Sequence, residues 1–148
     1  MISKEDTVKE VRAALDLSFE RFVSADIEGM EALILESAVL VAGKDIYRGR
    51  EALMSFYGGF YAAFEVAENY PITVDIQLTG FDSAVVATHQ KMILKPKLAE
   101  VSSVDIDLMV TFAFVKCGEE WRIAYEHASR FDLLFGETAH LETSGSNV

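Results

Sequence analysis

The sequence predicts an α+β domain in which helices cover the concave face of a curved, mostly antiparallel sheet and enclose a small pocket. Three observations carry this reading. Apolar residues recur at helical spacing through most of the first 69 residues, the period changes to two from Ile72 onward, and the later strands are joined by short connections. Helices therefore lie to one side of the sheet. A two-layer α+β sandwich without an enclosed pocket is the alternative architecture, and parallel α/β arrangements are disfavoured.

Ser3 followed by Asp6 resembles a capping box with a short acid, and Val8, Val11, Leu15, Phe19 and Phe22 follow at helical spacing. A first helix is expected over residues 4–24. Asp26 can cap a second helix over 27–37 with Met30, Leu33 and Ile34 inward, followed by a short strand over 38–42 and a turn at Gly43, Lys44 and Asp45. Ile46 and Tyr47 lead to Gly49. Leu53, Phe56, Tyr57, Phe60, Tyr61 and Phe64 then share the face of a third helix, expected to end near Asn69 ahead of Pro71. Gly58 and Gly59 in its middle each cost up to about 1 kcal/mol in helix propensity and suggest a kink or close packing.

Ile72, Val74, Ile76 and Leu78 alternate with Thr73, Asp75, Gln77 and Thr79, the pattern of a strand with one wet face. A turn over 80–83, a strand over 84–94, a loop over 96–103 and a strand over 104–116 follow. A hairpin loop over 117–120 leads into the last strand, over 121–131. Residues 1–135 are read as one domain and 136–148, rich in Ser, Thr and Gly, as a flexible tail.

Twenty-four acidic against 13 basic residues leave a net charge of −11, which repels phosphate backbones and anionic lipid, so neither nucleic acid nor membrane is an expected partner. Lys91, Lys95 and Lys97 read as a solvated strand end. A single cysteine, Cys117, excludes an intrachain disulfide and fits a reducing compartment. The polar, acidic first ten residues do not look like a signal peptide, and no stretch has the length of a membrane span. A cytoplasmic protein is expected. No HExxH, Cys/His cluster, phosphate loop or GxSxG elbow is present, so neither cofactor nor metal is expected.

Two stretches carry a family resemblance: Tyr47-Arg48-Gly49-Arg50-Glu51-Ala52-Leu53 entering a helix, and Gly118-Glu119-Glu120-Trp121-Arg122-Ile123-Ala124-Tyr125-Glu126-His127-Ala128-Ser129 near the end. With the element order, they resemble the SnoaL-like group of the nuclear-transport-factor-2-like superfamily. The resemblance implies a cone-shaped α+β barrel, often dimeric, with a pocket between sheet and helices. It implies ketosteroid isomerase, polyketide cyclase or dehydratase chemistry on a small hydrophobic molecule, or a non-catalytic binding or assembly role. Relatives often carry His where this chain has Tyr125, whereas His127 and Ser129 match. The Tyr and paired Asp set of a ketosteroid isomerase has no clear counterpart.

Strict alternation puts Trp121, Ile123, Tyr125, His127 and Ser129 on one face of the last strand, the expected pocket face. His127 as acid/base with Tyr125 as a hydrogen-bond donor forms the candidate catalytic pair; a pair of satisfied core residues is the alternative. Asp107 depends on register. If the hairpin pairs Cys117 with Glu120, Asp107 lies opposite Arg130, away from His127, as a surface ion pair; a loop one residue longer makes it a candidate base beside His127. Tyr57, Phe60 and Tyr61 on the aromatic helix, with Trp121, Phe112 and His89 on strands, are candidate ligand contacts, although the direction of His89 is open. A homodimer is expected through the outer sheet face at Ala113, Val115, Ala124 and Ala128.

Overall fold

The computed structural model describes residues 2–98 and 101–129 of the chain. Helix α1 (Lys4–Val23) starts where Ser3 Oγ accepts from the Asp6 amide at 3.1 Å and donates to the Asp6 carboxylate at 2.9 Å, so Ser3 caps the helix and the short acid bonds its hydroxyl. Thr7, Val11, Leu15 and Phe19 form its buried stripe. Asp26 caps α2 (Ile27–Ala32) by accepting from the Gly29 amide at 3.0 Å.

The second helix stops five residues short of the expected 37, because the chain enters strand β1 (Ile34–Ala42) and the Ile123 amide takes the Leu33 carbonyl at 2.7 Å. β1 turns through Gly43, at φ +61°, into β2 (Asp45–Arg48). Gly49 then begins α3 (Arg50–Ala63) at φ +90°, a backbone conformation open to glycine and costly for residues with a Cβ. α3 ends at Ala63, six residues before Asn69. The long strand β4 (Ser83–Pro96) takes Phe64 onward as its partner, so 64–69 join β3 (Phe64–Leu78). Cross-strand pairing overrides local helical spacing there. Strands β5 (Val104–Cys117) and β6 (Glu120–Ala128) complete the sheet.

The six strands run in the order β2-β1-β6-β5-β4-β3 in an open, mixed sheet, with β1 parallel to β6 and the other pairs antiparallel. β4 and β5 show the alternation of a one-sided core: Val86, Met92, Leu94, Leu108, Val110 and Phe114 are buried beneath the helices. Leu15, Leu53 and Phe60 meet them with essentially no exposure. Fully burying one such side chain contributes about 1.5–3 kcal/mol. Helices on the inner face of an open sheet make the cone-shaped α+β fold that the family resemblance implied.

Two irregularities in the sheet decide what faces inward. Cys117 pairs with Glu120 and Phe114 with Ile123, the shorter hairpin register, but Ala113 pairs with Tyr125, which leaves Ala124 as one extra residue. Past this bulge the alternation of β6 is inverted. A second shift in β3, between Val66 and Glu68, leaves Ala67 over and sets Asn69 opposite Met92.

Candidate functional site in the cone

A cavity of about 50 Å³ lies between α1, α3 and the inner sheet face. Its walls are mostly apolar: Phe19 and Phe22 from α1, Phe56 from α3, and Met92, Val110 and Phe112 from the sheet. Glu126, Tyr57, Asn69, Gln90 and Ser18 are its polar groups.

The central contact joins α3 to β6. Tyr57 is buried, and its hydroxyl donates to Glu126 Oε2 at 2.7 Å. Burial pushes the Glu126 carboxyl up to about 7, against a smaller downward pull from the Tyr57 hydroxyl, so both protonation states are populated near neutral pH. The Tyr57 hydroxyl is held well above its ordinary range, first by burial and then by the neighbouring Glu126 charge, which keeps it a neutral donor. Gln90 is fixed by its own Nε2, which donates to Thr88 Oγ1 at 2.7 Å, while Thr88 donates to the Val110 carbonyl at 2.9 Å. Asn69 Oδ1 is shielded from solvent and has no hydrogen-bond partner. Among the described residues, no three of His, Cys, Asp and Glu converge as a metal site would require.

The structure separates the residues singled out in the sequence. Tyr57 and Phe112 line the cavity. Phe60 is fully buried in the core beside it, and Tyr61 is spent on structure, its hydroxyl donating to the Phe22 carbonyl at 2.6 Å. Trp121 faces inward but donates from Nε1 to Glu10 Oε1 at 2.9 Å, tying α1 to the β5–β6 hairpin away from the cavity. Tyr125 and His127 are exposed on the outer sheet surface, which corrects their expected place on the pocket wall. The cause is the extra residue at Ala124, which turns Glu126 inward in their stead.

Asp107 also faces outward, 3.4 Å from His89 Nε2, beside a Lys91–Asp105 ion pair at 2.9 Å. His89 is therefore no cavity residue, and Asp107 stays on the outer surface as the shorter register places it, with His89 as its contact among the described residues. Arg130 and the tail 136–148 lie outside the described residues. Ala128 is buried on the inner face, which removes it from the outer surface expected to mediate dimerisation.

Glu126, Asn69, Gln90 and Ser18 are polar cavity residues that sequence reasoning missed. Glu126 and Asn69 reach the cavity through a bulge, and periodicity counts an extra residue as part of the alternation. A mismatch between acidic character and burial is visible only once the register is known.

A profile of the SnoaL-like domain matches residues 11–132. No curated protein sequence matches the chain. A ketosteroid isomerase-like protein from Erwinia carotovora atroseptica has a similar solved structure, with TM-score 0.75 and 18% identity over 86% of this chain and 96% of that one. A candidate dehydratase of the NTF2-like family from Streptomyces avermitilis gives 0.74 and 20%, over 82% and 94%. A candidate scytalone dehydratase from Novosphingobium aromaticivorans gives 0.76 and 14%, over 82% of each chain. At such identities these likenesses speak to the fold.

Proposed function

The chain belongs to the SnoaL-like family, and from that premise we propose that it binds a small hydrophobic molecule in the cone and moves a proton on it, with Glu126 as acid/base and Tyr57 as its partner. The observation that carries this reading is a buried carboxyl titrating near 7 and hydrogen-bonded to a neutral Tyr hydroxyl on an apolar wall. A general base works best with a pKa near the working pH. Ionised Glu126 can take a proton from a carbon next to a carbonyl, and protonated Glu126 can return it to a neighbouring carbon or to a departing hydroxyl. Tyr57 steadies the carboxylate in the first step and holds its orientation in the second. These steps are those of an isomerase, cyclase or dehydratase, and neither draws on a further cofactor.

The functional half of the expected pair thus passes from His127 and Tyr125 to Glu126 and Tyr57. We assign Tyr125 and His127 instead to a homodimer surface. Val85, Ala113 and Tyr125 form one row across the outer face, with Ala87, Thr111 and His127 in the next, and Met109 beside them is 58% exposed. No helix of the described residues is long and apolar enough to cross a membrane, and with the exposed free thiol of Cys117 we place the protein in the cytoplasm.

The test is hydrogen–deuterium exchange at the α-carbon of 2-cyclohexenone in D₂O, followed by NMR. Wild-type protein should accelerate exchange, and Glu126→Gln should lower the rate by about 100-fold or more, the usual range for a lost acid/base group. Equal rates for the two proteins would remove Glu126 as the acid/base. A second reading, binding without turnover, is favoured by the mutual satisfaction of Tyr57 and Glu126, and would be supported by ligand binding with no acceleration.

A further inference from the structure

The polar groups of the cavity are unequally satisfied. Tyr57 and Glu126 bond each other and Gln90 is anchored through Thr88, whereas Asn69, on the cavity wall, has a buried Oδ1 with no hydrogen-bond partner. Leaving an amide oxygen shielded from water without a partner is costly, and native structures rarely leave one so. The strand is irregular at this place. Without the extra residue at Ala67, Glu68 would stand opposite Met92 on the inner face; the bulge puts Asn69 there and leaves Glu68 exposed. Bulges commonly re-aim a side chain beside a functional site. The same device turns Glu126 inward on β6.

We propose that Asn69 is the recognition residue of the pocket and that its Oδ1 accepts a hydrogen bond from a hydroxyl of the ligand, so the substrate class is a small, neutral, compact carbonyl compound that also carries a hydroxyl, of which phenol mimics the hydroxyl-bearing end. This rests on the reading of the cone as a ligand pocket. The cavity lining contains no Lys, Arg or His, so nothing there neutralises an anionic ligand. Its volume of about 50 Å³ is well below the roughly 150 Å³ of an apolar cavity that takes benzene. A single six-membered ring is therefore the upper size, admitted as the unbranched Met30 and Met92 side chains on the wall give way. Asn69 fixes which end of such a molecule enters, and so which carbon meets Glu126.

Phenol, anisole and toluene separate the possibilities, since they share a ring and differ as donor, acceptor-only and neither. Binding is read at neutral pH by NMR shift perturbation of wild-type protein and of Asn69→Leu. Wild type should bind phenol about 10-fold more tightly than anisole or toluene, the scale set by one buried acceptor gained or left unmade. Asn69→Leu should lose that preference while still binding toluene. Equal affinities in wild type overturn the inference and leave the ligand pocket standing. A preference for anisole overturns it too, because the amide would then present its N–H. A phenol preference that survives Asn69→Leu assigns recognition elsewhere, to Glu126. Failure of all three probes to bind overturns the pocket reading together with the inference. The wild-type ranking stands without the variant, so the result does not hang on whether Asn69→Leu folds.

Discussion

At the scale of single residues, Glu126 places function and stability in opposition. Its carboxyl is raised in the folded state to about 7 from an ordinary value of 4.5. Below the ordinary value the group is protonated in both folded and unfolded chains and has no effect. As pH rises from there to about 7, the unfolded chain ionises first, so the folded chain holds more protons and loses stability relative to it. Above about 7 the penalty is complete, on the order of 3 kcal/mol. Glu126→Gln removes the charge, and its amide oxygen can still accept from Tyr57. The variant is expected to melt several degrees above wild type at pH 8 and together with it near pH 4. A variant less stable than wild type at pH 8 would show that the ionised carboxylate is a net stabilising group.

At the scale of elements, glycines in one helix are expected to act with opposite signs. Gly49 opens α3 at φ +90°, and a Cβ there would lie 3.7 Å from the Glu36 carbonyl, an ordinary contact. The cost of Gly49→Val is thus backbone strain, about 1–3 kcal/mol. Gly58 and Gly59 are exposed within the same helix, and a Cβ on either meets nothing within 4 Å, so the sequence expectation of close packing is not met. Gly58→Ala should therefore stabilise by up to about 1 kcal/mol. Differential scanning calorimetry should show a fall in Tm for the first and a rise for the second. A Tm unmoved by Gly49→Val, or lowered by Gly58→Ala, would contradict the respective argument. The elements were legible because Ser3, Asp26 and Gly49 are local start signals and the alternation in Ile72 to Leu78 is a local pattern. The end of α3 was not, since what draws Phe64 to Asn69 into a strand is the far side of β4. The face of Glu126 was hidden for the same reason: the bulge at Ala124 is a property of the pairing with Ala113, and neither residue announces it.

At the scale of the whole molecule, the sheet divides two roles between its faces. The inner face, with Asn69, Gln90 and Glu126 among apolar side chains, encloses the cavity, and the outer face carries Val85, Met109 and Tyr125, each at least 36% exposed. An outer face that exposes Val85, Met109 and Tyr125 beside the His89–Asp107 and Lys91–Asp105 contacts is expected to be covered by a second copy. Light scattering at tens of micromolar, above a typical interface Kd of about 1 μM or tighter, should give a dimer, and Met109→Glu a monomer. A wild-type monomer under those conditions would remove the dimer and leave His127 and Tyr125 as solvated surface. The fold class could be read from the helix and strand periods together with the family resemblance, and the shared helical face of Tyr57, Phe60 and Tyr61 from their spacing. The chemistry inside could not, because one extra residue in a strand exchanges its two faces. The measurement that bears most directly on the proposed site is the ¹³C NMR titration of the Glu126 side-chain carboxyl, assigned by its loss in Glu126→Gln. A midpoint about 7 is expected, and higher still in Tyr57→Phe, which lacks the hydroxyl that draws it down. A midpoint near the ordinary 4.5, unmoved by Tyr57→Phe, would contradict a buried acid/base in the cone.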